Sequence, residues 1–171
     1  MKARLQPLMR HTTDEHRTPK ALFDFLQSVY GPFTCDAAAT KDNALCNFYF
    51  TKNDDALKHR WTGCVYINPP YGRGIAAWCK YAYEQVHVGG STAVVCMLLP
   101  ARTDTVWFHD YVLPYAQEVW WVRGRVKFGD AKQGAPFPSM VVVWRRAPLQ
   151  IPLRVTGEGA CVATSSQAGS Q

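Results

Sequence analysis

The 171-residue sequence predicts an α/β domain in which helices cover an abbreviated mixed sheet whose final strand pair is antiparallel. Three observations carry this expectation. Residues 92–99 form a short, continuous apolar run, which fits a strand buried on both faces and hence central and parallel. Segments with helical apolar spacing flank the strand-like ones: Leu22, Phe23, Phe25, Leu26 and Val29 early, then Trp78, Tyr81, Ala82 and Val86. Finally, Cys64 to Ile67 run straight into Asn68-Pro69-Pro70-Tyr71, where two prolines without an N–H end the ladder and turn its last side chains out at the sheet edge.

Taken in order, residues 1–13 hold Lys2, Arg4, Arg10 and His11 without a clear period and read as a basic N-terminal arm. Thr18-Pro19 opens the first helix, with threonine as N-cap and proline at the first helical position, and Gly31-Pro32 stops it. Residues 33–39 read as a first strand ending in Asp36 and a run of alanines. Small residues let a backbone approach a cofactor, and the carboxylate can hold a ribose or amino group; a helix-capping role for Asp36 fits the same residues. Residues 40–63 leave room for one short strand, 47–50, and one short helix, 55–60.

After the corner, Gly72-Arg73-Gly74 is a loop and residues 75–88 a helix closed by Gly89-Gly90. The loop after the central strand places Arg102 at the same sheet edge as Asn68, for contact with phosphate or target base, or else for capping or pairing with Asp104. Residues 105–113 form a short helix. Residues 118–128 read as a strand with Arg123, Arg125 and Lys127 on one face, suited to a phosphate backbone or simply solvated, and Val122, Val126 and Phe128 on the other. A Gly/Pro-rich loop, 129–138, suits a recognition loop or lid, and 139–144 is the last core strand. The domain thus spans 14–148, and 149–171 reads as a disordered tail.

Nineteen Lys and Arg against thirteen Asp and Glu give a net charge of +6 and favour a polyanionic partner. The six cysteines show no C-x-x-C spacing, so neither a zinc site nor a disulfide framework is expected. No apolar run approaches membrane-spanning length and the N-terminus lacks a signal-peptide core, so a soluble, cytoplasmic protein is expected. No G-x-G-x-x-G is present, which argues against a dinucleotide enzyme.

The corner Asn68-Pro69-Pro70-Tyr71 suits methyl transfer to a planar exocyclic amine. The lone pair of such a nitrogen is delocalised into its ring until acceptors hold both hydrogens in a pyramidal geometry. The Asn68 side-chain oxygen and the Pro69 carbonyl can supply those acceptors, the stiff Pro69-Pro70 backbone keeps them in place, and the Tyr71 ring offers a face for a flipped base.

Across residues 13–145 the chain resembles the phage-type, Dam-like DNA N6-adenine methyltransferases. The likeness rests on Thr18-Pro19, Cys35-Asp36-Ala37-Ala38, Asp55, Trp61, the Asn68 to Gly72 corner, Pro100-Ala101-Arg102-Thr103, Gly124 to Phe128 and Ser139-Met140. The resemblance implies a Rossmann-like fold that uses S-adenosylmethionine to methylate adenine N6 in double-stranded DNA, with no membrane and no obligate protein partner. It assigns catalysis to Asn68, Pro69, Pro70 and Tyr71. Thr18, Pro19, Asp36, Ala37, Asp55 and Asn68 fall at the cofactor. Arg73, Arg102, Arg123, Arg125 and Lys127 are the DNA-contacting candidates. A short target such as GATC is what the Dam likeness suggests. The same corner would also serve an RNA base or a glutamine side-chain amide, and a catalytically silent DNA-binding relative would keep the fold.

Overall fold

A computed structural model of the chain describes residues 16–129 and 131–146, together with the backbone of a further strand, Leu153–Thr156. The basic arm lies outside the described residues, as does most of the stretch expected to be a tail. Within that stretch, however, Leu153–Thr156 forms a strand.

The first helix, α1 (Lys20–Tyr30), buries Phe23, Leu26 and Tyr30, the stripe that the apolar spacing marks. Its start differs from expectation. Pro19, in extended conformation, takes the cap position without any side-chain cap, which leaves the Thr18 hydroxyl for other partners. The helix ends where the Gly31 N–H bonds the Gln27 carbonyl, just before Pro32.

Strand β1 is only Cys35–Asp36, far shorter than 33–39. The Asp36 carboxylate accepts the backbone N–H groups of Ala38 and Leu45, which turns the chain out of the ladder directly after the strand. The strand expected over 47–50 is reduced to a parallel bridge, Asp36 to Tyr49. The helix expected over 55–60 is a single 3-10 turn, Ala56–Lys58.

Next come β2 (Thr62–Ile67), α2 (Ile75–Tyr83) with its π turn Glu84–Val88, and β3 (Ser91–Pro100). A second π turn, Phe108–Val112, precedes β4 (Glu118–Val122) and β5 (Ser139–Arg145); Leu153–Thr156 is β6. The sheet order is β1-β2-β3-β5-β4-β6. β1, β2 and β3 are mutually parallel, β5 is antiparallel to both β3 and β4, and β6 is parallel to β4. The antiparallel pair is therefore present, but β5 lies inside the sheet rather than at its margin.

A further expectation is corrected. Strand β4 stops at Val122, so Arg123, Arg125 and Lys127 lie on a loop and not on a strand face. Gly124, with φ of 79°, breaks the extended backbone there. The alternation in burial survives the loss of the strand: Val126 and Phe128 are buried while the three cations are exposed.

Residues opposite one another in adjacent strands share a face, so Tyr66, Cys96, Val143 and Glu118 form one row. Helix α1 covers that row: Phe23 packs edge-on to Tyr66, and Tyr30 donates to the Glu118 carboxylate at 2.6 Å. The other face carries Trp144, whose indole N–H donates to the Tyr111 carbonyl in the second π turn. Val95 to Leu99 and Met140 to Trp144 are buried on both faces, as the continuous apolar run at 92–99 anticipates for β3. Cys35, Cys79 and Cys96 are buried thiols, and no disulfide occurs among the described residues. No helix among them is long and apolar enough to cross a membrane.

Candidate active site

The chain reverses its order of strand addition at β1. After β1 it first bridges one side of that strand at Tyr49, then returns to place β2 on the other side. Such a reversal opens a crevice beyond the carboxyl ends of the strands, where open α/β sheets bind ligands. A cavity of about 590 Å³ lies there, walled by His16, Thr18, Asp36, Ala37, Asp55, Asn68, Pro70 and Trp78 among others. The volume is within the range of small-molecule and cofactor pockets. The structure thus brings together Thr18, Asp36, Ala37, Asp55 and Asn68 from four separate stretches of sequence. Pro19 stands one residue outside the wall, at the start of α1.

Asp36 is 3% exposed, and its two oxygens accept the N–H groups of Ala38 and Leu45 at 3.3 and 3.2 Å. Burial pushes its carboxyl up to about 6, against the pull of those two N–H groups in the opposite direction. Asp36 is not a helix cap; it orders the turn into the cavity wall. The alanines beside it leave room for a ligand to approach the backbone. Asp55 sits at φ of 53°, a left-handed conformation uncommon for a residue with a side chain, and its carboxylate pairs with Lys58 at 2.9 Å.

Asn68 stands at the end of β2, with both protons of its side-chain nitrogen committed. One goes to the His16 carbonyl, the other to the Thr18 hydroxyl oxygen at 2.9 Å. The His16 carbonyl can only accept, so the amide orientation is set: nitrogen towards His16, oxygen away. That oxygen, Oδ1, is buried and has no hydrogen-bond partner among the described residues. A buried acceptor without a donor costs roughly 1–3 kcal/mol, so its retention in a cavity wall fits a donor supplied by a ligand.

Tyr71 does not present an open face. It is 7% exposed, its hydroxyl donates to the Leu98 carbonyl at 3.2 Å, and its ring packs against His16, Phe128 and Phe137 with centroids 5.1, 6.0 and 5.5 Å away. The His16 ring stacks on Phe128 at 4.6 Å. This aromatic group joins the corner to the loop before β5. Sequence reasoning missed His16 and Phe137 because each lies in a stretch without period; Phe128 was expected only as an apolar strand residue. The one usable signal was the cluster of aromatic residues bordering a Gly/Pro-rich loop.

The DNA-contacting candidates are exposed but dispersed. Arg73 and Arg102 follow β2 and β3 at the same sheet edge, because those strands are parallel. Arg102 makes no ion pair with Asp104 and is not a cap through its side chain; its carbonyl accepts from the Thr105 hydroxyl. Arg123, Arg125 and Lys127 belong to the segment that leads into the aromatic group.

The family model described as DNA N-6-adenine-methyltransferase (Dam) matches residues 7–158 of this chain. The DNA N-6-adenine-methyltransferase of Escherichia phage T1 is 34% identical over 106 residues, which cover 60% of this chain and 42% of the phage protein. The putative methyltransferase YfdM of Escherichia coli strain K12 is 36% identical over 70 residues, covering 37% of this chain and 77% of that protein. Together with a cavity at the strand-order reversal whose wall includes Asn68, the match over almost the whole chain shows that this protein belongs to the Dam family of DNA N-6-adenine-methyltransferases.

Proposed function

We propose that the protein methylates the exocyclic N6 of an adenine flipped out of double-stranded DNA, at a short target sequence, on a Rossmann-like scaffold with S-adenosylmethionine as donor. The observation that carries this reading is the unpaired Oδ1 of Asn68 at the rim of a cofactor-sized cavity. The residues present fit the cofactor: a buried carboxylate able to accept from hydroxyl or amino groups, a wall of alanines that permits close approach, and the left-handed turn at Asp55. When bound, the cofactor supplies an electrophilic methyl group on a sulfonium sulfur.

The protein's contribution is geometric and electrostatic. Asn68 Oδ1 accepts one N6 hydrogen and the Pro69 carbonyl the other, drawing the lone pair out of the ring plane towards the methyl carbon. The bound donor would supply the methyl group and keep the electron pair of its broken carbon–sulfur bond, and the surplus N6 proton would leave to solvent. Neither acceptor has to act as a base. Stacking of the target base on Tyr71 requires the His16 ring to leave its place against Tyr71 and Phe128, because Tyr71 is packed by His16, Phe128 and Phe137 while it is there. Arg73, Arg102, Arg123, Arg125 and Lys127 supply exposed positive charge for the phosphate backbone.

Purified protein incubated with labelled S-adenosylmethionine should yield N6-methyladenine in unmethylated DNA when digested nucleosides are analysed, with RNA and protein acceptors run in parallel. Label in RNA or glutamine only, or in none of the three, would overturn the reading.

Asp36 gives the cofactor site a pH dependence. Its folded-state pKa of about 6 lies above the ordinary carboxyl value, so the free protein retains the proton and its stability declines as pH rises from about 4 to about 6. The cost is on the order of 2–3 kcal/mol. A ligand that donates hydrogen bonds to the ionised carboxylate recovers part of it. Calorimetric titration should therefore show S-adenosylmethionine binding roughly 10-fold tighter at pH 7 than at pH 5. The Asp36→Asn variant should bind more weakly, with that pH dependence flattened.

A further inference from the structure

We propose that Tyr66 and Thr18 are positioning residues that hold the Asn68 carboxamide with its oxygen, not its nitrogen, towards the reacting amine; the proposal rests on the methyl-transfer reading above. An asparagine at this position has an ambiguity that a carboxylate would lack. Turned through 180°, its side chain would present a donor to the N6 hydrogens and repel them. Two acceptors prevent this. The His16 carbonyl faces Asn68 Nδ2, and a flipped side chain would set oxygen against oxygen there. The Thr18 hydroxyl oxygen takes the second proton at 2.9 Å and is itself bonded to the Tyr66 hydroxyl at 2.7 Å.

Tyr66 is the fixed end of this chain. It is wholly buried in β2, its ring held edge-on by Phe23 at 5.1 Å and by Phe33 at 5.7 Å. Burial keeps its phenol protonated. Its hydroxyl is bonded to that of Thr18; with the Thr18 proton committed to that bond, the Thr18 oxygen is left only to accept from Asn68, so a flipped carboxamide oxygen would meet no donor there. The strut explains why Thr18 does not cap α1: its hydroxyl is already engaged. Asn68 lies two residues after Tyr66, just past the end of β2, and one threonine hydroxyl reaches both side chains.

The test combines 15N–1H spectra of the full chain with single-turnover kinetics. The Asn68 side-chain NH2 pair is assigned by its absence in Asn68→Ala. In Tyr66→Phe and Thr18→Val that pair should shift upfield and exchange faster with solvent. The methyl-transfer rate at saturating DNA and cofactor should fall roughly 10-fold or more, while KM for DNA changes less than about threefold. Thr18→Ser, which keeps the hydroxyl, should recover most of the lost rate, and it serves if Tyr66→Phe folds poorly. An Asn68 pair that stays in place in both variants, or one that moves while the single-turnover rate is retained, would overturn the proposal. Wild-type protein that transfers no methyl group to DNA would sink the functional reading instead, and the spectra would still report on the strut.

Discussion

Asn68→Ala is expected to lower kcat for DNA methylation by about 100- to 1000-fold, the range found when a single preorganised charge-stabilising contact is removed. The substitution deletes a buried acceptor that no described residue satisfies. It also releases the His16 carbonyl and the Thr18 hydroxyl from the amide nitrogen, but neither group leaves the cavity wall. Cofactor affinity should accordingly change much less than turnover. Single-turnover kinetics beside calorimetric titration with S-adenosylmethionine separates the two quantities. Wild-type turnover in the variant would remove Asn68 from the chemistry.

Gly90→Ala should be the most damaging small substitution for stability. A Cβ placed on Gly90 would lie 1.7 Å from the Gln85 carbonyl oxygen and 2.5 Å from its carbon, so the obstacle is backbone that cannot rotate away. The carbonyl of Gly90 also accepts from Arg146, which ties the entry of β3 to the end of β5. Overpacking of this kind costs about 3 kcal/mol. For a chain of this size that corresponds to a fall in Tm of roughly 6–12 °C, measurable by calorimetry. Gly74→Ala is the control, because no atom lies within 4 Å of its added Cβ and its φ is negative.

Gly89-Gly90 was readable from sequence as a helix stop, and the steric reason became visible only with the packing. The same division runs through the fold. Continuous apolar runs marked β3 and β5 correctly because burial on both faces leaves no polar position in the pattern. Short elements were overcalled: residues 33–39 shrink to Cys35–Asp36, and 118–128 to Glu118–Val122. In both cases a local competitor ends the ladder, the Asp36 carboxylate in the first and Gly124 in the second. Strand β6 was missed altogether, since four residues in an aperiodic stretch carry too little pattern, and its pairing with β4 is supplied by a partner some thirty residues earlier.

For the site, the residue chemistry alone pointed to Asn68 and Asp36, because a proline-stiffened strand end and a carboxylate beside alanines each have a local cause, while Thr18, read locally as a helix cap, entered the site only through the family likeness. Local patterns could not say what those groups touch. Whether Thr18 caps a helix or braces an amide, whether Tyr71 offers its face or buries it under His16, and which way the Asn68 oxygen points all depend on contacts between residues about fifty or more positions apart. Such contacts exist only once β1, β2 and α1 have packed around a common edge, so the chemical identity of the corner is written in the chain while its orientation is a property of the assembled sheet.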